Sequence, residues 1–226
     1  MTALAMHEDH QTMRANPAGT GLDLVTLAPG VVAHGTVAPI AREAAVFVQE
    51  DPVTHIYKVV SGAVRVTRLL EDGRRHIVAF YFAGELFGLE AGDTHQFSAE
   101  AVVASRIAFV RRSAVATEAE NSDSAIWAVW RLMAKELARA QDHALVLGRL
   151  SAAERVGAFL RDMAVRTGCN NSIDLPMSRI DIADYLGLTI ETVSRTLTQM
   201  ERSGAIRFSG ARHIDFQTAR PLARVA

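Results

Sequence analysis

The spacing of apolar and polar positions changes character along the chain. From about Thr20 to Arg112 it runs in twos: HIYKVV, AVRVTRLL and RHIVAFYF alternate β-branched or aromatic residues with polar ones, punctuated by Ser61-Gly62, Asp72-Gly73 and Ala83-Gly84. A period of two bounded by such dipeptides predicts strands joined by tight turns, so this half reads as an antiparallel β-roll or barrel. Beyond Ser122 or Asp123, either of which serves as an N-cap, the period lengthens. Ile126, Trp130, Met133, Leu137, Ala140, Ala144 and Leu147 follow alternating steps of four and three. An amphipathic helix lying on its own domain does not need that rhythm, whereas a coiled-coil seam does. No other segment carries an equally long heptad pattern, so the expected partner is the same helix of a second copy, in a parallel two-fold homodimer.

After Gly148 a third pattern begins. SAAERVGAFLRDMAVRT reads as a helix closed by Gly168, and residues 170–176 as a short extended connection. Two short helices then flank Gly187: the first runs from Met177 or Ser178 to Leu186, and the second is capped by Thr189, with Val193, Leu197 and Met200 facing inward. This leaves Glu191, Ser194, Arg195 and Thr198 on the outer face, where a helix-turn-helix places its major-groove readers. Arg195 can donate twice to a guanine edge, Glu191 can accept from a cytosine amino group, and Ser194 can meet the neighbouring pair. Glu191 and Arg195 also stand four residues apart, so a solvated, salt-bridged face is the plain alternative. GAIRFSGARHIDF adds a two-strand wing. Contacts to the DNA backbone are assigned to Ser178, Thr189, Thr192, Thr198, Arg207 and Arg212.

The expected class is α+β: a flexible tail over 1–20, a β-roll sensor-like domain over 21–120, a dimerisation helix over 121–148 and a winged helix-turn-helix over 149–226. Charge sharpens this division. The 226 residues carry a net charge of -1, but residues 149–226 hold eleven arginines against eight carboxylates, leaving the earlier part acidic. The basic end is the one with the reading helices. The single cysteine, Cys169, excludes an internal disulfide framework and a cluster held by several cysteines of one chain. No run approaches the ~18 apolar residues of a membrane span, and the first residues lack the order of a cleavable leader, so a cytoplasmic protein is expected. A β-barrel enzyme is the remote alternative; the sequence offers no G-x-S-x-G, paired-histidine metal motif or glycine-rich phosphate loop for it.

The succession of β-roll, long helix and winged helix-turn-helix resembles the CRP/FNR family of bacterial transcription regulators over nearly the whole chain. MSRIDIADYLGLTIETVSRTLTQMERSGAI and YFAGELFGLEAGDTHQFSAEAV are similar above all to its FixK branch. The resemblance implies that Glu191, Ser194 and Arg195, as E-x-x-S-R, read half-sites like TTGAT in a palindrome. It further implies contact with RNA polymerase and a role in microaerobic respiration, denitrification or nitrogen fixation. Cyclic-AMP-binding members use a glycine-glutamate pair and a later arginine-serine pair. Gly84, Glu85 and Leu86 are kept, but Thr94 to Ala99 contains no arginine and Arg106 falls badly in its strand, so Glu85 is read as a turn residue. FNR itself holds an iron–sulfur cluster through cysteines that are absent here. The pair His7 and His10 is read as solvated tail, and His34, His55, His76 and His95 as packing residues. Phe47, Phe80, Phe82, Phe87, Phe97 and Phe109 suggest an apolar filling of the roll, and no cofactor or metal is expected. Some FixK relatives carry an oxidation-sensitive cysteine where this chain has Ser194, which leaves Cys169 an incidental thiol. A ligand- or haem-gated regulator of the same family is the competing reading.

Overall fold

Among the described residues, nine strands and a short helix come before the long helix. They are β1 (Asp23–Ala28), β2 (Val31–Ile40), β3 (Ala45–Phe47), β4 (His55–Ser61), β5 (Ala63–Leu69), β6 (Arg75–Phe82), β7 (Leu86–Phe87), β8 (Ser98–Ala101), β9 (Ser105–Arg111) and α1 (Arg112–Glu120). The structure, a computed structural model, describes residues 23–29, 31–120, 122–169 and 171–217. The expected tail with His7 and His10 lies outside the described residues, as do Asn170 and the positions after Gln217. The strands form two antiparallel sheets, ordered β1-β2-β9-β4-β7 and β3-β8-β5-β6. The β5–β6 turn hydrogen-bonds Gly73 N–H to the Leu70 carbonyl at 2.9 Å, with Gly73 at φ 80°, a region that favours glycine.

The inward-facing residues of both sheets make one core, with Ile40, Val59, Val64 and Ile107 among rings of Phe47, Tyr57, Phe87 and Phe109. His95 is buried among them, its ring stacked on Phe47 at 3.6 Å and its Nδ1 hydrogen-bonded to Glu90. The filling therefore differs from the phenylalanine set read from sequence. Phe80 and Phe82 point out of the roll into a second core, shared with the C-terminal helices, while Tyr57 and His95 help fill the roll itself. An aromatic on a strand with both faces covered gives no periodic clue to which core it joins.

The C-terminal half contains α2 (Asp123–Arg149), α3 (Ala152–Thr167), β10 (Ser172–Asp174), α4 (Arg179–Leu186), α5 (Ile190–Arg202), β11 (Ile206–Phe208) and β12 (His213–Phe216). Ser122 caps α2, its hydroxyl accepting from Ala125 N–H. One side of this helix, with Ala125 and Ala128 buried and Val129 and Leu132 half-buried, packs on β1, β2 and α1. The predicted seam lies on the other side. Ile126, Trp130, Met133 and Leu137 are 50%, 60%, 42% and 60% exposed in the single chain. Ala140 and Ala144 are exposed as well, but Leu147 is half-buried and approaches the turn at Gly187. Exposed Trp127 and Leu145 extend the apolar surface beyond the seven residues read from sequence. No helix among the described residues is long and apolar enough to cross a membrane.

Glu85 ties three elements together. Its Oε1 accepts from Arg139 of α2 at 2.8 Å and from Arg166 of α3 at 3.1 Å, while Oε2 accepts from Arg166 at 2.6 Å and from Phe82 N–H at 2.9 Å. It is thus more than the turn residue expected from sequence, and both its oxygens are engaged. Burial alone would raise the Glu85 carboxyl, but Arg166, the Phe82 amide and Arg139 outweigh it and hold the group below its ordinary value. Asp181 behaves alike: burial opposes its charge, and the Ser178 hydrogen bonds with the charges of Arg65 and Arg75 hold it low. For carboxyls depressed in the folded state, the stabilisation is complete above the unfolded value, near pH 4, and disappears as pH falls through the lower native values. The scattering radius is therefore expected to stay constant from neutral pH down to about 5 and to rise only below about 4. Expansion between pH 5 and 7 would contradict these contacts.

Candidate nucleic-acid interface

The reading helices are built by local capping. Ser178 opens α4 with a capping box: its hydroxyl accepts from Asp181 N–H at 3.1 Å, and Asp181 Oδ2 accepts from the Ser178 amide at 3.0 Å. Gly187 closes α4 in the left-handed region at φ 61°, which lets the chain turn within two residues into α5. Thr189 caps α5 by accepting from Thr192 N–H at 3.2 Å. Val193, Thr196 and Leu197 are buried beneath α5 against Ile182 and Leu186 of α4 and Val156 and Leu160 of α3. The wing is three-stranded, in the order β10-β12-β11. The expected plain connection at 170–176 in fact contributes β10, which pairs with β12 through Ile173 and Ile214.

Glu191 and Arg195 project from the exposed face of α5, and Ser194 lies half-buried between them. No ion pair joins Glu191 to Arg195, and neither has a side-chain partner among the described residues. The plain alternative of a closed surface salt bridge is thus not what forms. Ser194, Arg195, Thr198, Gln199 and Arg202 line one shallow concavity on this face. Gln199 and Arg202, which follow Arg195 at helical spacing of four and seven, join this surface although the expected set does not include them. Exposed Ile190, at the first position of α5 beside Glu191, is outside that set too because it reads as core.

The remaining expected residues fall in three places. Thr189, Thr192 and Thr198 lie on α5, with the Thr189 and Thr192 hydroxyls 3.0 Å apart and Thr198 Oγ1 donating to the Ser194 carbonyl at 3.0 Å. Ser178 sits apart, its hydroxyl donating to Asp181 Oδ2 at 2.8 Å within the cap. On the wing Arg207 is exposed and has no side-chain partner among the described residues, whereas Arg212 turns back and donates to the Pro176 carbonyl at 2.9 Å. His213 bridges Asp174 of β10, at 2.8 Å, and Asp215, at 3.3 Å. The hydrogen bond that His213 donates to Asp174 is the main cause that raises its pKa above the ordinary histidine value, and it favours the imidazolium on this arginine-bearing hairpin. Arg106 faces outward from β9, and exposed Cys169 stands outside the reading face.

Comparison with known proteins places these elements. The model for the Crp-like helix-turn-helix domain matches residues 154–224, and that for the cyclic nucleotide-binding domain matches residues 39–122. The chain is 47% identical to the nitrogen fixation regulation protein FixK of Azorhizobium caulinodans, over 81% of this chain and 76% of that protein. It is 45% identical to FixK of Rhizobium meliloti, over 75% of this chain and 77% of that protein. The solved structure of FixK2 from Bradyrhizobium japonicum superimposes with a TM-score of 0.81 at 41% identity, covering 85% of this chain and 99% of that one. These relatives are regulators rather than enzymes, and the shared helix-turn-helix is a DNA-binding one. With this fold and this reading head, the chain belongs to the CRP/FNR family of transcription regulators, among the FixK proteins.

Proposed function

We propose that the protein acts as a homodimeric activator that binds a palindrome like TTGAT-N4-ATCAA in double-stranded DNA, with Arg195, Glu191 and Ser194 reading bases. Thr189, Thr192, Thr198, Arg207 and Arg212 touch the DNA backbone. The observation that carries this reading is that Glu191 and Arg195, on the exposed face of α5, have no side-chain partner among the described residues. A base-reading side chain must be free of internal partners, because each bidentate contact to a base edge uses all of its donors or acceptors on that side.

The dimer rests on the exposed apolar face of α2 formed by Ile126, Trp130, Met133, Leu137, Ala140 and Ala144, continued by half-buried Leu147. A parallel pairing of these helices brings two reading heads to one face of the duplex about 34 Å apart. Alanines at 140 and 144 allow the two helices to approach closely.

The roll needs no effector on this reading. Its interior is filled by aromatic rings and His95, and both oxygens of Glu85 are held by arginines of α2 and α3. One cysteine per chain cannot hold an iron–sulfur cluster of several thiolates. The protein works in the cytoplasm, and activation includes contact with RNA polymerase. The names of its relatives point to nitrogen fixation or linked low-oxygen metabolism as the regulated process.

The test is binding of purified, effector-free protein in air to the TTGAT-N4-ATCAA duplex and to a scrambled duplex at one fixed salt concentration. The expected preference is on the order of a thousandfold. Weak and equal binding to both would replace this reading with a roll that awaits a small molecule or haem.

A further inference from the structure

Two arginines of the roll reach across to the first reading helix. Arg75, on β6, donates through Nη2 to Asp181 Oδ1 at 2.8 Å and through both Nε and Nη2 to Asp184 Oδ2, at 3.0 and 2.8 Å. Arg65, on β5, donates through Nη1 to the same Asp181 oxygen at 3.3 Å. Arg65 is itself fixed by Glu100, at 2.9 Å, and by Glu43, and its side chain is 6% exposed. Asp181 therefore divides its carboxylate: Oδ2 caps α4 through Ser178 and Oδ1 meets the roll. Since α4 and α5 share one apolar core across the Gly187 turn, whatever orients α4 orients the recognition helix.

An ionic contact at this place calls for a reason other than stability. Apolar residues of similar volume often stabilise a buried junction as well as paired charges do. What charged, forked hydrogen bonds add is direction, because guanidinium–carboxylate geometry tolerates few orientations. The apolar part of the same junction, with Phe80 against Tyr185 at 5.3 Å, holds the head to the roll without specifying its angle to that degree.

We propose that Arg75, acting through Asp181 and Asp184, is a positioning residue for DNA recognition, which fixes the angle of the reading head and thereby the half-site spacing that the protein accepts. This rests on the dimeric, palindrome-reading function proposed above. The roll then serves as a bracket for the head, a role independent of any ligand it could hold.

Spacing selectivity tests it. Full-length wild type, Arg75→Ala, Arg75→Lys, Asp184→Asn and the Arg75→Ala/Asp184→Asn double variant are titrated against TTGAT palindromes with spacers of three, four, five and six base pairs. A four-base-pair duplex with one altered half-site base is included. Arg75 is 31% exposed on its side chain and the Ser178 cap does not involve it, so its removal leaves the helix ends intact. The expected result is that Arg75→Ala loses about tenfold of the preference for the four-base-pair spacer while base discrimination within the half-site stays as in wild type. Asp184→Asn weakens the preference in the same sense, Arg75→Lys restores part of it, and the double variant goes little beyond the single ones. A lowered melting temperature with wild-type spacing selectivity would make the contact merely structural and overturn the proposal. A wild type that does not distinguish any palindrome from scrambled DNA would overturn the parent reading and this one together.

Discussion

Leu137→Glu is expected to convert the protein to monomers and to abolish detectable binding to the palindrome. The side chain is 60% exposed in the single chain, so the substitution removes little that the isolated fold uses. In a paired seam the two copies of position 137 meet. Each leucine withdrawn from water there contributes about 1.5–3 kcal/mol, and the variant replaces both with facing carboxylates. The loss of roughly 3–6 kcal/mol per dimer corresponds to about two to four orders of magnitude in dimer dissociation. A single reading head then binds one half-site without its neighbour, and the second head's effective concentration is lost. Sedimentation velocity reads the association state directly, while an unchanged circular dichroism spectrum reports that each chain is folded. Trp127 and Trp130, both largely exposed and 5.7 Å apart, provide a fluorescence signal for the same event. A Leu137→Glu protein that sediments as an intact dimer would remove the seam from the account.

Why was so much of this architecture legible in the sequence? Alternation between turn dipeptides marks a strand, and a wider apolar period between caps marks a helix, even where it does not tell which core each face joins. The strands HIYKVV and RHIVAFYF, the long helix and the α4–Gly187–α5 turn all announce themselves through period, caps or glycine. The short helix α1 was read as the end of the roll because RSAVATEAE carries no strong apolar face. β10 is three residues long and is held by pairing with β12, a contact between residues about forty positions apart that local pattern cannot reveal. The ionic junctions were invisible for the same reason. Glu85 looked like a turn residue because the turn bond to Phe82 is local, whereas Arg139 and Arg166 come from helices 54 and 81 residues away. In the reading head the exposed face of α5 follows from spacing, but Gln199 and Arg202, one and two turns beyond Arg195, lie outside the E-x-x-S-R pattern and carry no motif of their own.

Arg195→Ala is expected to cost about 1–3 kcal/mol on a site with the intact guanine position and much less on a site where that base pair is changed. Discrimination at one position then collapses while the other positions keep theirs. The structure makes this a clean experiment. Arg195 pairs with neither Glu191 nor any other described side chain, so its removal strands no buried charge. The helix beneath it is held by Val193 and Leu197, both buried, and by the Thr189 cap. Arg207→Ala is the necessary contrast. It stands exposed on the wing without a side-chain partner among the described residues, where a guanidinium can meet phosphate but no base edge is implied by its position. Its loss should weaken all sequences alike and reduce the slope of log affinity against log salt by about one. The two variants separate what a single affinity cannot: a contact that specifies changes the ratio between sites, and a contact that positions changes every affinity together. If Arg195→Ala kept the full preference for guanine, base reading would have to pass to Ile190, Glu191, Gln199 or Arg202 on the same face, and the same ratio measured on their alanine variants would identify which.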